Sequence, residues 1–220
     1  MATKLQVTLT ELQPLLLHAD NIAWADDMEI WRNDPANKAL SKAGDDRTPP
    51  YRWIGCLNCD DAKKGIVTIP SEYIMANIMQ GAAQVQTGQG RKTFKEQSQS
   101  GILCSEFHWP LLINGKTIPM ASIDKLIRLK TFKEHSDAVT DLGFSLFVKR
   151  VRVGAAKHIR VRPRFDKWST TGELLIVDDQ ITPKVIATIL DISGHFKGLG
   201  DWRPGGRTPG PWGTFTAKIS

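Results

Sequence analysis

The sequence is poor in cysteine and tyrosine and has no long apolar run. Three cysteines in 220 residues are few and odd in number, which argues against a secreted scaffold held by disulfides. No apolar stretch is long enough to span a bilayer, and no N-terminal apolar run resembles a signal peptide. We therefore expect a cytoplasmic protein without a membrane partner.

Acidic residues are also in deficit. The chain holds 23 Asp and Glu against 29 Lys and Arg, for a net charge of +6 and a pI of about 9.3. This balance favours an acidic partner. The composition is otherwise that of a globular protein, long enough to bury a substantial core.

Two amphipathic segments predict helices. One begins at Pro70-Ser71, with Ser71 as its cap, and carries an apolar stripe as far as Ala83. The other begins at Thr182-Pro183 and runs to Phe196. Alternating or short apolar segments predict strands at 4–9, 51–57, 65–69, 102–109, 144–153, 159–165, 174–177 and 215–219. Asn114-Gly115 predicts a hairpin within 111–118.

The order of these segments predicts an α+β fold. We expect an antiparallel sheet with two helices on one side, a ferredoxin-like (RRM-like) arrangement, in one domain spanning residues 1–220. Two polar, irregular segments, at about 19–50 and 88–145, are predicted to be insertions, the first with a short helix near Ala25–Trp31. No internal repeat is present.

A basic ribbon gives the clearest electrostatic signal. Residues 149–167 contain one acid and eight basic residues: Lys149, Arg150, Arg152, Lys157, Arg160, Arg162, Arg164 and Lys167. On a strand, Arg160, Arg162 and Arg164 share one face, roughly 6–7 Å apart, which matches the step of a nucleic-acid backbone. The alternative is a solvated strand face whose charges are paired with acids elsewhere.

A glycine-rich loop, residues 198–215, follows the second helix. It combines six glycines with three prolines, two arginines and two tryptophans. Glycine admits a close phosphate, arginine binds it and tryptophan stacks on a base. These roles are predicted for Gly198, Gly200, Trp202, Arg203 and Arg207. A mobile loop tucked against the core by its tryptophans is the equal alternative. A second loop offers Arg91 and Lys92 as further contacts.

The remaining candidates are a metal site and the histidines. Cys56, Cys59, Cys104 and His108 have zinc-ligand spacing, although cysteines in apolar segments more often fill the core. Carboxylate pairs such as Asp45-Asp46 lie in loop-like positions and are interpreted as turn or solvated acids. No histidine lies in a catalytic triad pattern, so we predict no catalytic residue and no cofactor.

Three segments resemble the RAMP superfamily of CRISPR proteins. Gly198-Leu199-Gly200 followed by Arg203 and further glycines is similar to the C-terminal glycine-rich loop of that family. Ile69-Pro70-Ser71 with its helix is similar to the start of the first RAMP helix, and Leu9–Leu17 to the first strand. Each motif is degenerate, and Trp202 and Pro204 depart from the usual small and basic loop residues.

The resemblance implies a ferredoxin-like palm with insertions that form a thumb and a web. The length, the single glycine loop and the insertions are most similar to the repeated backbone subunit that polymerises along guide RNA. The partners implied are single-stranded guide RNA, target DNA or RNA, further copies of the chain and other effector subunits. Some family members cleave target RNA through a loop aspartate, which is not matched here.

Two alternatives of other classes stay open. One is a metal-independent RAMP endoribonuclease with His18 or His158 as general base. The other is a phage single-stranded-DNA-binding or CRISPR-interfering protein that uses the same fold.

Overall fold

The computed structural model describes residues 2–19, 24–42, 44–62 and 64–220. In chain order, its strands and α-helices are β1 (Thr3–Glu11), β2 (Leu15–Leu16), α1 (Ala25–Asn33), β3 (Thr68–Pro70), α2 (Ser71–Ala82), α3 (Lys95–Gly101), β4 (Ile102–Cys104), β5 (His108–Pro110), β6 (Leu112–Ile113), β7 (Lys116–Thr117), α4 (Met120–Asp124), α5 (Phe132–Asp141), β8 (Ser145–Val153), β9 (Ala156–Phe165), β10 (Trp168–Ile176), α6 (Pro183–Phe196) and β11 (Phe215–Ile219). Short 3-10 helices span Pro35–Asn37, Arg52–Cys56 and Lys125–Arg128. The protein is thus α+β with antiparallel sheets, as the sequence predicts.

The chain divides into two compact units. The first combines the residues up to Leu15 with Thr68–Lys116 and Asp166–Ser220, and the second combines Leu16–Val67 with Thr117–Phe165. The predicted insertion at 19–50 falls within the second unit, whereas the one at 88–145 is divided between the two. The expectation of one domain over residues 1–220 stays a prediction.

The first unit is built on one antiparallel sheet around β1 and β10. These two strands pair along almost their whole length, from Thr3 opposite Ile176 to Thr10 opposite Ser169. β11 pairs with the other edge of β1, while β4 and β6 pair with different parts of β10. In the chain, α2 lies between β1 and β4, and α6 lies between β10 and β11.

The two predicted long helices are confirmed, and both pack on the first unit's core. α6 begins as predicted, with the Thr182 hydroxyl accepting a hydrogen bond from the Val185 amide and proline at the first turn. α2 begins at Ser71, but Pro70 occupies the cap position, so the capping role predicted for Ser71 is wrong. The helices cross at Gly81, where an added Cβ would lie 2.6 Å from the Ile189 carbonyl oxygen.

Alternation along β1 separates a buried face from an open one. Leu5, Val7 and Leu9 are buried on the face that α6 covers, because Gly194 lets that helix lie directly against Phe215 of β11. The opposite face carries polar and aliphatic side chains, among them an ion pair between Lys4 of β1 and Glu173 of β10. It has no aromatic residue on β1, β4, β10 or β11, all of which the structure describes.

The second unit is built on the β8–β9 hairpin, to which β2 adds a third strand. Its core is aromatic: the ring centroids of Trp53 and Phe144 lie 5.8 Å apart, and those of Phe144 and Phe165 lie 5.1 Å apart. The buried histidine of α5, His135, lies against Trp53.

Several sequence-based assignments need correction. The strand predicted at 51–57 is a 3-10 helix, because its residues are buried among aromatic side chains rather than paired in a sheet. The loop predicted around Arg91 and Lys92, residues 87–100, contains the start of α3. Residues 132–141, predicted to be part of the irregular insertion at 88–145, form α5 with a Thr131–Glu134 capping box. The hairpin at Asn114-Gly115 is confirmed, with φ values of 49° and 77°.

Candidate nucleic-acid interface

The β8–β9 hairpin carries positive charge without any local acid. Residues 145–165 contain seven Lys and Arg and no Asp or Glu. The register places Lys149 opposite Arg160, Phe147 opposite Arg162 and Ser145 opposite Arg164. The three strand arginines therefore share one face, as the sequence predicts.

The hairpin end is the most exposed part of this charge. Four basic side chains next to the Gly154 turn are exposed, and we call them the hairpin-end cations: Lys149, Arg150, Arg152 and Lys157. Arg152 also donates to the Gly154 carbonyl at 3.2 Å and so helps to close the turn. Cations on a solvated hairpin can contact phosphates of any sequence, since the phosphate backbone carries no base identity.

The arginines further along β9 bind a buried carboxylate. Asp46, whose side chain is 6% exposed, accepts from Arg160 at 3.0 Å, from Arg162 at 3.3 Å and from Arg52 at 3.4 Å. Arg162 is itself buried and also donates to the Val161 carbonyl at 2.8 Å. Asp46 lies in a turn, as predicted, but its interpretation as a solvated acid is wrong. In the structure Arg162 holds the buried Asp46 carboxylate. The phosphate contact predicted for Arg162 stays a prediction.

A cationic pocket of about 520 Å³ opens beside Arg160 in the second unit. Its described lining has no carboxylate; it consists of Arg32, Ser41, Lys42, Gly44, Thr48, Arg52, His158 and Arg160. Burial lowers the pKa of Arg52, and the nearby charges of Arg32 and Arg160 lower it further, against the opposing effect of Asp46. The four cations thus concentrate positive potential in a concave site.

Sequence reasoning missed Arg32, Lys42 and Arg52 in this pocket. They lie between residues 32 and 52, more than 100 residues before Arg160, so no spacing connects them to it. Residues 44–46 reach β9 through backbone hydrogen bonds: the Ile159 amide donates to the Gly44 carbonyl, and the Asp46 amide donates to the Ile159 carbonyl. This pairing, together with the ion pairs of Asp46 with Arg52 and Arg160, brings the two groups of cations together.

The glycine-rich loop belongs to the first unit, and several of its amides are hydrogen-bonded to backbone carbonyls of that unit. Gly198 is buried; its amide donates to the Ser193 carbonyl at 2.9 Å, and its carbonyl accepts from the Asn77 side chain at 2.8 Å. The Gly213 amide donates to the Pro14 carbonyl at 2.8 Å. These bonds hold the loop against α2 and the end of β1, and they explain Gly198 structurally. Its predicted phosphate contact stays untested.

The other predicted loop residues differ in exposure. Arg207 is exposed, whereas Arg203 is half-buried and donates to the Gly200 carbonyl at 3.3 Å. Gly200 and Trp202 both have positive φ, of 74° and 49°, so the chain turns sharply there. Trp202 is half-buried, which leaves only part of its surface for a base.

Three further predicted contacts also lie in the first unit. Arg91 and Lys92 line an open pocket of about 520 Å³ together with Lys95 and several glutamines. Lys167 is exposed and forms a 3.5 Å ion pair with Glu11. The predicted contacts are therefore divided: the ribbon up to Arg164 lies in the second unit, and the glycine loop, Arg91, Lys92 and Lys167 lie in the first.

No metal site is found among the residues that the structure describes. No group of three or more His, Cys, Asp or Glu side chains there is placed to hold an ion. Burial and the nearby Glu106 raise the pKa of the Cys104 thiol to about 12, which disfavours the thiolate form that binds zinc. The Cys56 thiol lies 3.9 Å from the Val161 carbonyl. The zinc hypothesis thus gains no support here.

The two histidines considered for catalysis lie in different settings. His18 is exposed, next to the buried segment Leu15–Leu17. His158 lines the cationic pocket, and its ring lies so close to Gly44 that an added Cβ would collide with it. A catalytic role for either stays a prediction.

Comparison with known proteins identifies no relative: no protein-family model matches the sequence, and none of the curated proteins matches it. No helix in the described part of the chain is long and apolar enough to cross a membrane. The function is therefore inferred from the geometry of the charged residues.

Proposed function

We propose that the protein binds single-stranded nucleic acid through sequence-independent contacts to phosphates. One observation carries the proposal: the hairpin of residues 145–165 has no acid and exposes four cations at its end. Such a surface attracts any polyanion, and neutralising phosphates with Lys and Arg releases counterions. Binding is then strong at low salt and falls steeply as salt rises.

We further propose that the chain is a RAMP-type backbone subunit of a ribonucleoprotein. A ferredoxin-like palm orders its four strands 4-1-3-2 with a helix after the first and third. In the first unit the order β11-β1-β10-β4, with α2 after β1 and α6 after β10, supports this assignment. Guide RNA is the proposed ligand, copies of the chain and other effector subunits are the proposed neighbours, and DNA or RNA is the proposed target.

The open face of the sheet indicates which part of the nucleic acid is contacted. RRM-type sheets bind RNA by stacking bases on aromatic side chains of their open face. The open face of this sheet has no aromatic side chain on the described strands β1, β4, β10 and β11. We therefore assign the affinity to phosphates rather than to bases. The predicted result is similar binding to RNAs of different sequence.

The test is a salt titration of RNA binding. Arg150, Arg152 and Lys157 are replaced together by Gln, and binding to a fluorescent 30-nucleotide, 5′-hydroxyl RNA is measured by anisotropy between 50 and 300 mM salt. If each side chain neutralises one phosphate, the slope of log K against log salt becomes shallower by about 2.

A matched variant controls for the loss of net charge. Lys116, Lys125 and Lys184 are exposed and lie outside the hairpin, and their replacement by Gln should change the slope much less. Equal slopes for wild type and the hairpin variant would remove the hairpin from the model. Tighter binding to DNA than to RNA of the same sequence would contradict the guide-RNA assignment and favour a DNA-binding protein.

A further inference from the structure

The cationic pocket has a neighbour of different character in the same unit. This second pocket, of about 420 Å³, is lined by the aromatic rings of Trp31 and Phe132 and by the apolar side chains of Leu40 and Pro50. We call it the aromatic pocket. It shares Lys42 and Thr48 with the cationic pocket, so the two pockets adjoin.

The aromatic pocket has the surface that a nucleobase needs. Trp31 and Phe132 are both half-buried, so each keeps part of its ring accessible. Stacking of a base on an aromatic ring strengthens binding and tolerates any base. The polar wall of this pocket is an ordered ion pair, in which Arg47 donates to Asp45 at 2.9 and 2.7 Å.

The cationic pocket has the charges that a phosphate group needs. Four cations line it without a carboxylate among its described lining residues, and Asp46, which pairs with Arg52 and Arg160, is buried. His158 also lines this pocket, with its Nδ1 atom buried against Gly44.

We propose that the second unit binds a nucleotide, with its 5′-phosphate in the cationic pocket and its base against Trp31 and Phe132. Each pocket falls within the size range of small-ligand sites, and together they accommodate one nucleotide rather than a length of strand. A 5′-phosphomonoester is preferred over an internal phosphodiester, because it presents up to two charges to the four cations. Free nucleotides and the 5′-terminal nucleotide of a strand share this chemistry.

This proposal does not depend on strand binding, because a free nucleotide tests it. Isothermal titration calorimetry of the whole protein compares 5′-AMP, adenosine and inorganic phosphate. We expect 5′-AMP to bind at least tenfold more tightly than either fragment, since it occupies both pockets. Binding of 5′-AMP no tighter than inorganic phosphate, or no binding at millimolar concentration, would overturn the proposal.

Variants of the exposed pocket cations locate the phosphate. Replacing Arg32 and Lys42 by Gln should weaken 5′-AMP binding at least tenfold, while adenosine binding changes little. The matched control replaces Lys38 and Lys125, which are exposed cations of the same unit outside both pockets. Equal losses in the two double variants would refute the assignment. Phe132→Leu tests the base half, with thermal unfolding as a check on folding.

The source of the nucleotide is resolved with 12-nucleotide RNAs that differ only in a 5′-phosphate. If the phosphate tightens binding to wild type but not to the Arg32, Lys42 variant, the ligand is a strand end. If it has no effect while 5′-AMP binds, the ligand is a free nucleotide. The Arg150, Arg152, Lys157 variant should keep its 5′-AMP affinity, which separates failure of the nucleotide site from failure of strand binding by the hairpin.

Discussion

Trp53 and His135 are buried polar groups in the second unit, and each supplies the partner that the other needs. The Trp53 indole donates to His135 Nδ1 at 3.3 Å, so the proton of the neutral ring lies on Nε2, which donates to the Leu129 carbonyl at 3.2 Å. One tautomer therefore satisfies both contacts. Charging the ring puts a proton on Nδ1 and breaks the bond to Trp53.

The stability of the protein should consequently depend on His135 at mildly acidic pH. Burial lowers the pKa of His135 below its ordinary value of 6.5, so the unfolded chain binds a proton more readily than the folded one. The contribution is fully present above pH 6.5 and is lost as the pH falls below that value, by at most about 1.4 kcal/mol per pH unit. Urea unfolding at pH 7.5 and 5.5 measures the loss.

The control for this prediction is His135→Gln, which does not titrate in this range. Its amide can accept from Trp53 and donate to Leu129, so the fold should persist while the pH dependence becomes smaller. A variant with the same loss of stability between pH 7.5 and 5.5 as wild type would show that other groups cause the dependence.

At the scale of elements, β9 is fixed to the segment 44–52 by backbone and side-chain bonds together. Backbone hydrogen bonds join Ile159 to Gly44 and Asp46. The Asp46 carboxylate also binds Arg160 and Arg162 of β9 and Arg52 of the 3-10 helix Arg52–Cys56. Arg162 is buried, and its guanidinium donates to the Asp46 carboxylate and to the Val161 carbonyl. This junction positions one wall of the cationic pocket.

Removing the Asp46 carboxylate should therefore destabilise the protein strongly. Breaking a buried ion pair by deleting one partner costs about 3–5 kcal/mol, because the other charge stays buried, and this is the loss expected for Asp46→Ala in urea unfolding. Asp45→Ala should cost less, since its partner Arg47 has a side chain that is 41% exposed and can return to water.

A second variant separates lost charge pairing from lost packing. Asp46→Leu combined with Arg162→Met removes both charges and should recover part of the stability that Asp46→Ala loses. If Asp45→Ala and Asp46→Ala were equally destabilising, the buried arginines would not be the reason for the effect.

For the whole molecule, the net charge of +6 is concentrated rather than spread evenly. The hairpin and the cationic pocket both belong to the second unit, whereas the first unit contributes the antiparallel sheet around β1 and β10 and the glycine loop. Under the proposed function, each copy of the chain occupies a fixed length of RNA, because its contacts are to phosphates and not to particular bases.

Particle mass should therefore increase stepwise with RNA length. Light scattering on complexes with 15-, 30- and 60-nucleotide RNAs measures this mass, and we expect the number of bound chains to double with each doubling of length. RNAs of unrelated sequence should give the same masses. A single chain on every RNA would contradict polymerisation while leaving simple strand binding intact.

The sequence by itself determined the parts of this protein that local chemistry governs. Apolar periodicity and a Thr-Pro cap define α2 and α6, alternation defines β1 and the β8–β9 hairpin, and Asn114-Gly115 defines the turn between β6 and β7, because each depends on residues close in the chain. The excess of cations on residues 149–167 is also visible without a fold.

Only the tertiary structure decided what those cations do. Arg160 and Arg162 lie on one strand face as predicted, but the carboxylate of Asp46, more than 100 residues away in the chain, binds both. Three cations from residues 32–52, namely Arg32, Lys42 and Arg52, join Arg160 in a pocket. The buried arrangement of 51–57 and the internally bonded glycine loop were equally hidden. Long-range pairing and burial leave no mark on local spacing, because they depend on which distant segments pack together.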